Sequence, residues 1–191
     1  MRIVLASASP RRRELLEQAG IDFEILIGST RECITKEEPG EIVEELSLAK
    51  AKGVAEAVTG DAVIIGADTI VAKGNKVLGK PKDAEDAHQM LAMLQGEKHQ
   101  VYTGVTLLQK KGDEKIIRSF HERTDVFMTS MSDQEIEAYI ATGEPFDKAG
   151  SYGIQGRAGI FVERIEGDYY NVVGLPVSYV YRQLKEIAEK D

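Results

Sequence analysis

The stretch SASPRRREL, residues 7–15, places three arginines directly after a proline at the predicted start of a helix. A helix begins with unpaired N–H groups and a partial positive charge, so cations in its first turn are repelled when nothing is bound there. A phosphate group reverses the sign of this interaction, because it accepts hydrogen bonds from both the backbone amides and the arginines. We therefore predict that Arg11 and Arg12 bind phosphate.

The neighbours of these two arginines have more than one explanation. Ser7 and Ser9 are expected to add hydroxyl donors to a bound phosphate, and Ser9 also suits the N-cap of a helix. Arg13 lies four residues before Glu17, which is the spacing of an ion pair on one helix face. For Arg13 alone we therefore favour a position on the solvated surface.

A carboxylate follows a continuous apolar run that reads as a buried strand. Asp68 ends the run DAVIIGAD, and ligands of open α/β sheets gather outside the carboxyl ends of the strands. An acid at such a place can hold a divalent cation or accept a proton from water, although a turn or a helix cap also explains it. Thr69 beside it can donate to a ligand, but a β-branched residue also suits the start of a strand.

Three further candidates are scattered along the chain. Lys50 interrupts the apolar side of a predicted helix, and Glu32 lies in a polar loop after the second predicted strand. Each of them alone is more typical of a surface residue than of a site. The stretch DKAGSYGIQG, residues 147–156, is less usual, because its glycines let backbone approach a ligand. Gln155 within it carries an amide that can hydrogen-bond the edge of a nucleic-acid base.

The stretch GNKVLGKP, residues 74–81, imitates a phosphate-binding P-loop and fails at its last position. A P-loop needs a hydroxyl there to bind magnesium, whereas Pro81 has neither a hydroxyl nor an N–H. Gly74 and Asn75 are better explained as the turn of a β-hairpin. Lys80 remains a candidate phosphate ligand. It follows the second strand of this hairpin, which runs back toward the end of the first strand at which Asp68 lies.

The bulk composition limits the function classes. The chain has 191 residues, which suits one domain with a well-buried core. A formal net charge of −8 argues against nucleic-acid partners, since these require a basic surface. The apolar run at the start is too short for a signal peptide and no run is long enough to span a membrane, so we expect a cytoplasmic protein without membrane partners. The lone Cys33 is expected to be a small buried residue, and it fits that compartment.

Strands and helices alternate along much of the chain, which is typical of an α/β fold. Two long β runs, residues 99–110 and 115–130, follow each other with no helix between them. We therefore predict a mixed β-sheet flanked by helices, in a single domain spanning residues 1–191. Residues 167–176 are predicted as a loop.

Several stretches of the chain resemble, in the same order, the motifs of the Maf family of nucleoside triphosphate pyrophosphatases, once called septum formation proteins. They are LASASPRRREL, LAKAK, IIGADTIV, LGKP, H-x-V-x-T-G-V, EPFDKAGSYGIQG and GDYYNVVGLP. The resemblance covers nearly the whole chain and implies an ITPase-like α/β fold, often in a homodimer. It also implies metal-dependent hydrolysis of a nucleoside triphosphate at the α–β bond, giving the monophosphate and pyrophosphate.

The resemblance carries roles onto individual residues. Asp68 falls on the family's catalytic acid, taken to be the proton acceptor, and Glu32 matches a metal ligand that would hold Mg²⁺ or Mn²⁺ with it. The basic residues that contact the triphosphate are matched by Arg11, Arg12, Lys50 and Lys80. The positions at which branches of the family set nucleotide preference are matched by Arg11, Thr69 and Gln155.

The resemblance also has limits. The loop around Glu32 usually carries two adjacent acids, and here Arg31 replaces the first of them. The stretch with Gln155 resembles the branch that acts on dTTP and UTP, and modified pyrimidine nucleotides are further candidate substrates. Two alternatives stay open, a nucleotide-binding regulator of cell division without turnover and a related phosphatase that releases orthophosphate.

Overall fold

The structure is a computed structural model that describes residues 1–29 and 33–189. Arg31 and Glu32 therefore lie outside the described residues. The strands of the described chain are β1 Ile3–Leu5, β2 Glu24–Ile25, β3 Ala62–Lys73, β4 Lys76–Leu78, β5 Lys98–Lys111, β6 Glu114–Met128 and β7 Val162–Glu166. Its α-helices are α1 Pro10–Gln18, α2 Pro39–Ala55, α3 Ala84–Leu94, α4 Asp133–Ile140, α5 Tyr169–Val173 and α6 Val177–Ala188. Short 3-10 helices cover Glu144–Asp147, Ala149–Ser151 and Arg157–Phe161.

The strands form one mixed sheet in the order β2-β1-β3-β5-β6-β7, with β4 paired to β3. Strand β1 pairs in parallel with β2 and with β3, whereas β3–β4 and β6–β7 are antiparallel. The parallel pairs need crossover connections, and the two-residue turn at Gly74 and Asn75 joins the antiparallel strands β3 and β4. The predicted α/β class with a mixed sheet is confirmed.

Local expectations are met at one place and missed at another. Strands β3 and β4 form the predicted hairpin around Gly74 and Asn75, with Lys73 opposite Lys76. The prediction of a loop over residues 167–176 is wrong, because α5 lies inside it. That helix is too short for a periodic apolar pattern, and it starts where the Asp168 carboxylate accepts the Tyr170 N–H at 2.8 Å.

The chain divides into two compact units. Unit 1 comprises residues 1–68, 103–122 and 174–191, and unit 2 comprises residues 69–102 and 123–173. The core of unit 1 contains Val4, Ala6, Ala51, Val54, Ala55, Val58, Ala62, Ile64 and Leu108. The core of unit 2 includes Val71, Leu91, Leu94, Val101, Val126, Met128, Ile136, Tyr139 and Tyr152. A single domain over residues 1–191 stays a prediction.

Helix α2 lies unusually close to the strands of unit 1, and glycines make this possible. A Cβ at Gly66 of β3 would overlap the Ser47 carbonyl oxygen and lie 2.8 Å from the Ala51 nitrogen. A Cβ at Gly104 of β5 would likewise overlap the Val43 carbonyl oxygen. Any side chain at these two positions would push the helix outward, because packed interiors leave no spare volume.

Polar contacts fix the position of α2 along the strands. The hydroxyl of Ser47, fully buried, lies 2.9 Å from the Thr106 hydroxyl of β5. At the end of the helix, the Lys110 ammonium donates to the Ala55 carbonyl at 2.9 Å and also to the Val58 carbonyl. A cation at a helix C-terminus satisfies carbonyls that have no partner within the helix. The register of α2 against β5 is therefore set at two points.

No helix within the described residues is long and apolar enough to cross a membrane.

The close approach at Gly66 leads to a stability prediction. We expect Gly66→Ala to lower the free energy of unfolding by about 1–3 kcal/mol, the usual cost of overpacking a core. Urea unfolding monitored by circular dichroism measures this change. Gly79→Ala is the matched control, because a Cβ there meets no atom within 4 Å. Equal stability of the two variants would contradict the tight packing of α2 on β3.

Candidate active site

The centre of the candidate site is an ion pair between Lys50 and Asp68. The Lys50 ammonium of α2 donates to the Asp68 carboxylate of β3, and both residues belong to unit 1. Their side chains are 24% and 14% exposed, so the pair is shielded but reachable from solvent. The close packing at Gly66 brings this pair together. Gly66 lies against the backbone of Ser47 and Ala51, and Lys50 stands between these two residues on the helix.

Arg12 lies beneath the surface beside this pair. Only 8% of the residue is exposed, and its Nε donates to the Gly174 carbonyl at 2.8 Å. Its Nη1 donates to the Ser7 hydroxyl at 3.1 Å. Burial lowers the pKa of the guanidinium, while Asp68 opposes this shift and Arg11 adds to it. The buried cation is therefore electrostatically coupled to the candidate catalytic acid.

The beginning of α1 differs in detail from its prediction. Ser9 is the N-cap residue, but its side chain makes no capping hydrogen bond. The Ser9 N–H instead donates to the Ser7 hydroxyl at 3.3 Å, so Ser7 organises the turn. Arg11 is half-buried at the second position of the helix, and Arg13 pairs with Glu17 at 3.6 Å. The prediction that Arg13 is an ion-paired surface residue is confirmed.

The other predicted contacts to the nucleotide lie in unit 2. Thr69 follows Asp68 directly on β3 and is half-buried, whereas Lys80 and Gln155 are exposed. The loops that carry Lys80 and Gln155 are connected, because the Gly150 N–H donates to the Gly79 carbonyl at 3.0 Å. Unit 2 thus holds a second group of candidate nucleotide contacts, and a backbone hydrogen bond connects the loops of Lys80 and Gln155.

The metal prediction rests on Asp68 and Glu32, and Glu32 lies outside the described residues. Among the residues that the structure describes, no three side chains of the types His, Cys, Asp or Glu are close enough to form a metal site. Such a set is not required for Mg²⁺, which proteins often bind through one or two carboxylates together with substrate phosphates. A partly exposed carboxylate such as Asp68 has the right chemistry for that kind of binding.

The arrangement in unit 1 combines an acid with clustered cations. It can bind a polyanion next to a carboxylate that is able to accept a proton, which is a combination suited to phosphoryl chemistry. Sequence reasoning missed the Gly174 carbonyl as a partner of Arg12, because the two residues are 162 positions apart. It also missed the part played by Gly66, although this glycine stands inside the quoted stretch IIGADTIV.

Comparison with solved structures supports the fold. The structure of the Staphylococcus aureus Ham1 protein superposes with a TM-score of 0.51 at 12% identity. The match covers 96% of this chain and all of the other one. At this identity the similarity concerns the fold alone, and it confirms the predicted ITPase-like architecture.

Comparison with curated sequences gives much closer relatives. A protein of Agathobacter rectalis named dTTP/UTP pyrophosphatase is 50% identical, over 97% of each chain. A protein of Bacillus cytotoxicus with the same name is also 50% identical, over 97% of this chain and 95% of its own. The family model described as Maf-like protein matches residues 2–187. The chain therefore belongs to the Maf-like protein family, as the order of its motifs predicted.

Proposed function

We propose that this protein hydrolyses dTTP and UTP at the bond between the α- and β-phosphates, releasing the nucleoside monophosphate and pyrophosphate. The observation that carries the proposal is the Lys50–Asp68 ion pair, in which a carboxylate contacts a cation of the kind that can bind phosphate. The relatives named dTTP/UTP pyrophosphatase support the reaction and the choice of nucleotides. Modified pyrimidine triphosphates are included as candidate substrates.

The triphosphate is proposed to bind at the start of α1 and at Lys50. An ammonium carries three N–H donors, so one lysine can contact a carboxylate and a phosphate oxygen at the same time. Arg11 and the amides of the first helical turn add positive potential at the same place. Arg12 adds positive charge from its buried position. Its hydrogen bonds also hold Ser7 and the segment of Gly174 in place.

Asp68 is proposed to accept the proton of the water that attacks the α-phosphorus. The water oxygen forms a bond to phosphorus, the bond to the bridging oxygen breaks, and pyrophosphate leaves with the electron pair. Because Lys50 touches Asp68, a phosphate group held by Lys50 lies close to the base. Positioning of this kind, together with charge stabilisation, supplies most of the rate in phosphoryl transfer.

Mg²⁺ or Mn²⁺ is the proposed cofactor. Asp68, with Glu32, would hold the cation together with phosphate oxygens. When bound, it neutralises the negative charge that develops on the departing pyrophosphate. The replacement by Arg31 of an acid that is usual in the family leaves fewer carboxylates for this task.

In unit 2, Thr69, Lys80 and Gln155 are proposed to contact the nucleotide. Lys80 would bind a phosphate group, and Gln155 would hydrogen-bond the edge of the base. Thr69 and Arg11 occupy positions at which the family sets its nucleotide preference. Within unit 2, the hydrogen bond between Gly150 and Gly79 supports a common role for the loops of Lys80 and Gln155.

Two properties of the whole molecule belong to the proposal as well. A homodimer is implied by the family resemblance. The prediction that Cys33 is buried is wrong, because its thiol is free and exposed. A reducing compartment preserves such thiols, which supports a cytoplasmic location.

A product analysis tests the proposed reaction against its alternatives. The protein is incubated with Mg²⁺ and a panel of nucleoside triphosphates, and the products are identified by phosphorus NMR. Pyrophosphate from dTTP and UTP supports the proposal, whereas orthophosphate as the primary product favours a phosphatase. Binding of these nucleotides without any product favours a regulator of cell division, which would need the basic side chains but not the carboxylates.

Removal of the proposed base has a defined consequence. We expect Asp68→Asn to reduce kcat by about 10²–10⁴-fold, the usual contribution of a general base. Asp61→Asn is the matched control, since Asp61 is exposed and its bond to the Gly112 N–H needs only a side-chain oxygen. Steady-state release of pyrophosphate measures kcat, and circular dichroism checks the fold. An Asp68→Asn variant with wild-type turnover would remove Asp68 from the mechanism.

The arginines at the start of α1 are predicted to differ in their effect on substrate binding. Arg11→Gln should raise KM for dTTP by about tenfold, since a charge-assisted hydrogen bond contributes about 1.5–3 kcal/mol. Arg13→Gln should leave KM within about twofold, because Arg13 is engaged in a surface ion pair with Glu17 that contributes little. Equal effects of the two substitutions would contradict the division of roles.

A further inference from the structure

Gln155 lies in a tight turn of unit 2. The Gly156 N–H donates to the Gly153 carbonyl at 3.2 Å and closes a four-residue turn with Gln155 in its third position. The side chain of Gln155 is exposed, and the backbone of the turn sets the point from which its amide extends. Contacts on both sides of the turn hold that backbone.

The first contact precedes the turn and is buried. The hydroxyl of Tyr152 lies 2.7 Å from Nε2 of His99, and the two rings meet edge to face. His99 is fully buried, and burial together with Lys73 lowers its pKa to about 4 against the opposing effect of Asp125. The imidazole is therefore neutral at neutral pH, and Tyr152 is fixed to it by a hydrogen bond between uncharged groups.

The second contact follows the turn and is partly exposed. Both carboxylate oxygens of Glu144 accept the Arg157 N–H, at 3.1 and 3.2 Å. The Lys148 ammonium donates to the Glu144 carbonyl at 2.7 Å, which holds the segment that carries this carboxylate.

The two glycines of the turn pack directly against these side chains. A Cβ at Gly156 would lie 2.7 Å from the Glu144 carboxyl carbon, and one at Gly153 would lie 2.6 Å from Cε of Lys148. The turn is thus packed against the side chains that hold it, which limits where it can move.

Base chemistry explains why the place of the amide matters. Thymine and uracil present a carbonyl acceptor beside an N–H donor on their pairing edge, and guanine presents the same pair from a larger ring. A glutamine amide can hydrogen-bond either edge. An amide that extends from a fixed backbone therefore reaches a limited range of base positions and selects by ring size, whereas an amide on a mobile turn accepts both.

We infer that Tyr152 and Glu144 are positioning residues that hold the turn of Gln155 in place and so favour dTTP and UTP over guanine nucleotides. This inference rests on the proposed function and deepens it, because it adds the structural source of base selection. The two residues act through Gln155 and are not proposed to touch the nucleotide.

The test compares dTTP with dGTP in four variants. Tyr152→Phe removes the hydroxyl that bonds His99, Glu144→Ala removes the acceptor of the Arg157 N–H, and Glu144→Gln keeps one oxygen. Tyr179→Phe in unit 1 is the matched control for the loss of a tyrosine hydroxyl. The readouts are kcat/KM for both nucleotides and the inhibition constant of inorganic tripolyphosphate, which has no base.

We expect the ratio of kcat/KM for dTTP over dGTP to fall by about tenfold or more in Tyr152→Phe and Glu144→Ala, since small displacements cost about 10²-fold in the extreme. In Glu144→Gln this ratio should lie between that of Glu144→Ala and that of the wild type, because one oxygen acceptor remains. Tripolyphosphate should inhibit every variant within about twofold of wild type, because none of the proposed phosphate ligands Arg11, Arg12, Lys50 and Lys80 is substituted.

The outcomes separate the inference from the function on which it rests. A wild-type protein that releases no pyrophosphate from dTTP overturns the proposed function. A wild-type protein that does so, with an unchanged ratio in folded Tyr152→Phe and Glu144→Ala, overturns the inference alone. Weaker inhibition by tripolyphosphate with an unchanged ratio also overturns it, since the residues would then have a general structural role. If Tyr152→Phe fails to fold, the partly exposed Glu144 variants decide the matter.

Discussion

The candidate active site depends on one packing constraint, the contact of helix α2 with strand β3 at Gly66. The absence of a side chain at this position lets the helix backbone approach the strand closely. Lys50 then reaches Asp68, which stands two residues after Gly66 on the same strand. A helix seated even one side-chain layer further out would separate the ammonium from the carboxylate. The chemistry of the site is therefore set by backbone packing before any substrate arrives.

Charge is distributed in a way that suits an anionic substrate. The chain as a whole has a formal charge of −8, yet the start of α1 and the middle of α2 bring Arg11, Arg12 and Lys50 into the unit that carries Asp68. Burying Arg12 is costly, and hydrogen bonds to the Gly174 carbonyl and to Ser7 offset part of that cost. A bound triphosphate would bring further negative charge to these cations. The proposed ligand would thereby account for the placing of arginines at the positive end of a helix.

The fold class and the main candidate site residues could be predicted from the sequence, because motifs and strand ends are local features. Considered alone, Lys50 is typical of a surface lysine; the family resemblance placed it among the phosphate contacts, and the structure adds its ion pair with Asp68. The burial of Arg12 depends on a carbonyl 162 residues away, which no local pattern reveals. Helix α5 was missed because five residues are too few for a periodic signal. The hold of Glu144 and Tyr152 on the Gln155 turn likewise comes from side-chain contacts that exist only after folding.

The proposed reaction directs water onto the α-phosphorus of a nucleoside triphosphate, with Asp68 as the proton acceptor. Hydrolysis of dTTP in water enriched with oxygen-18, followed by mass spectrometry of both products, reveals which phosphorus atom the water attacks. We expect one heavy oxygen in the thymidine monophosphate and none in the pyrophosphate. Label in the pyrophosphate would place the attack on the β-phosphorus and contradict the assigned geometry of the site.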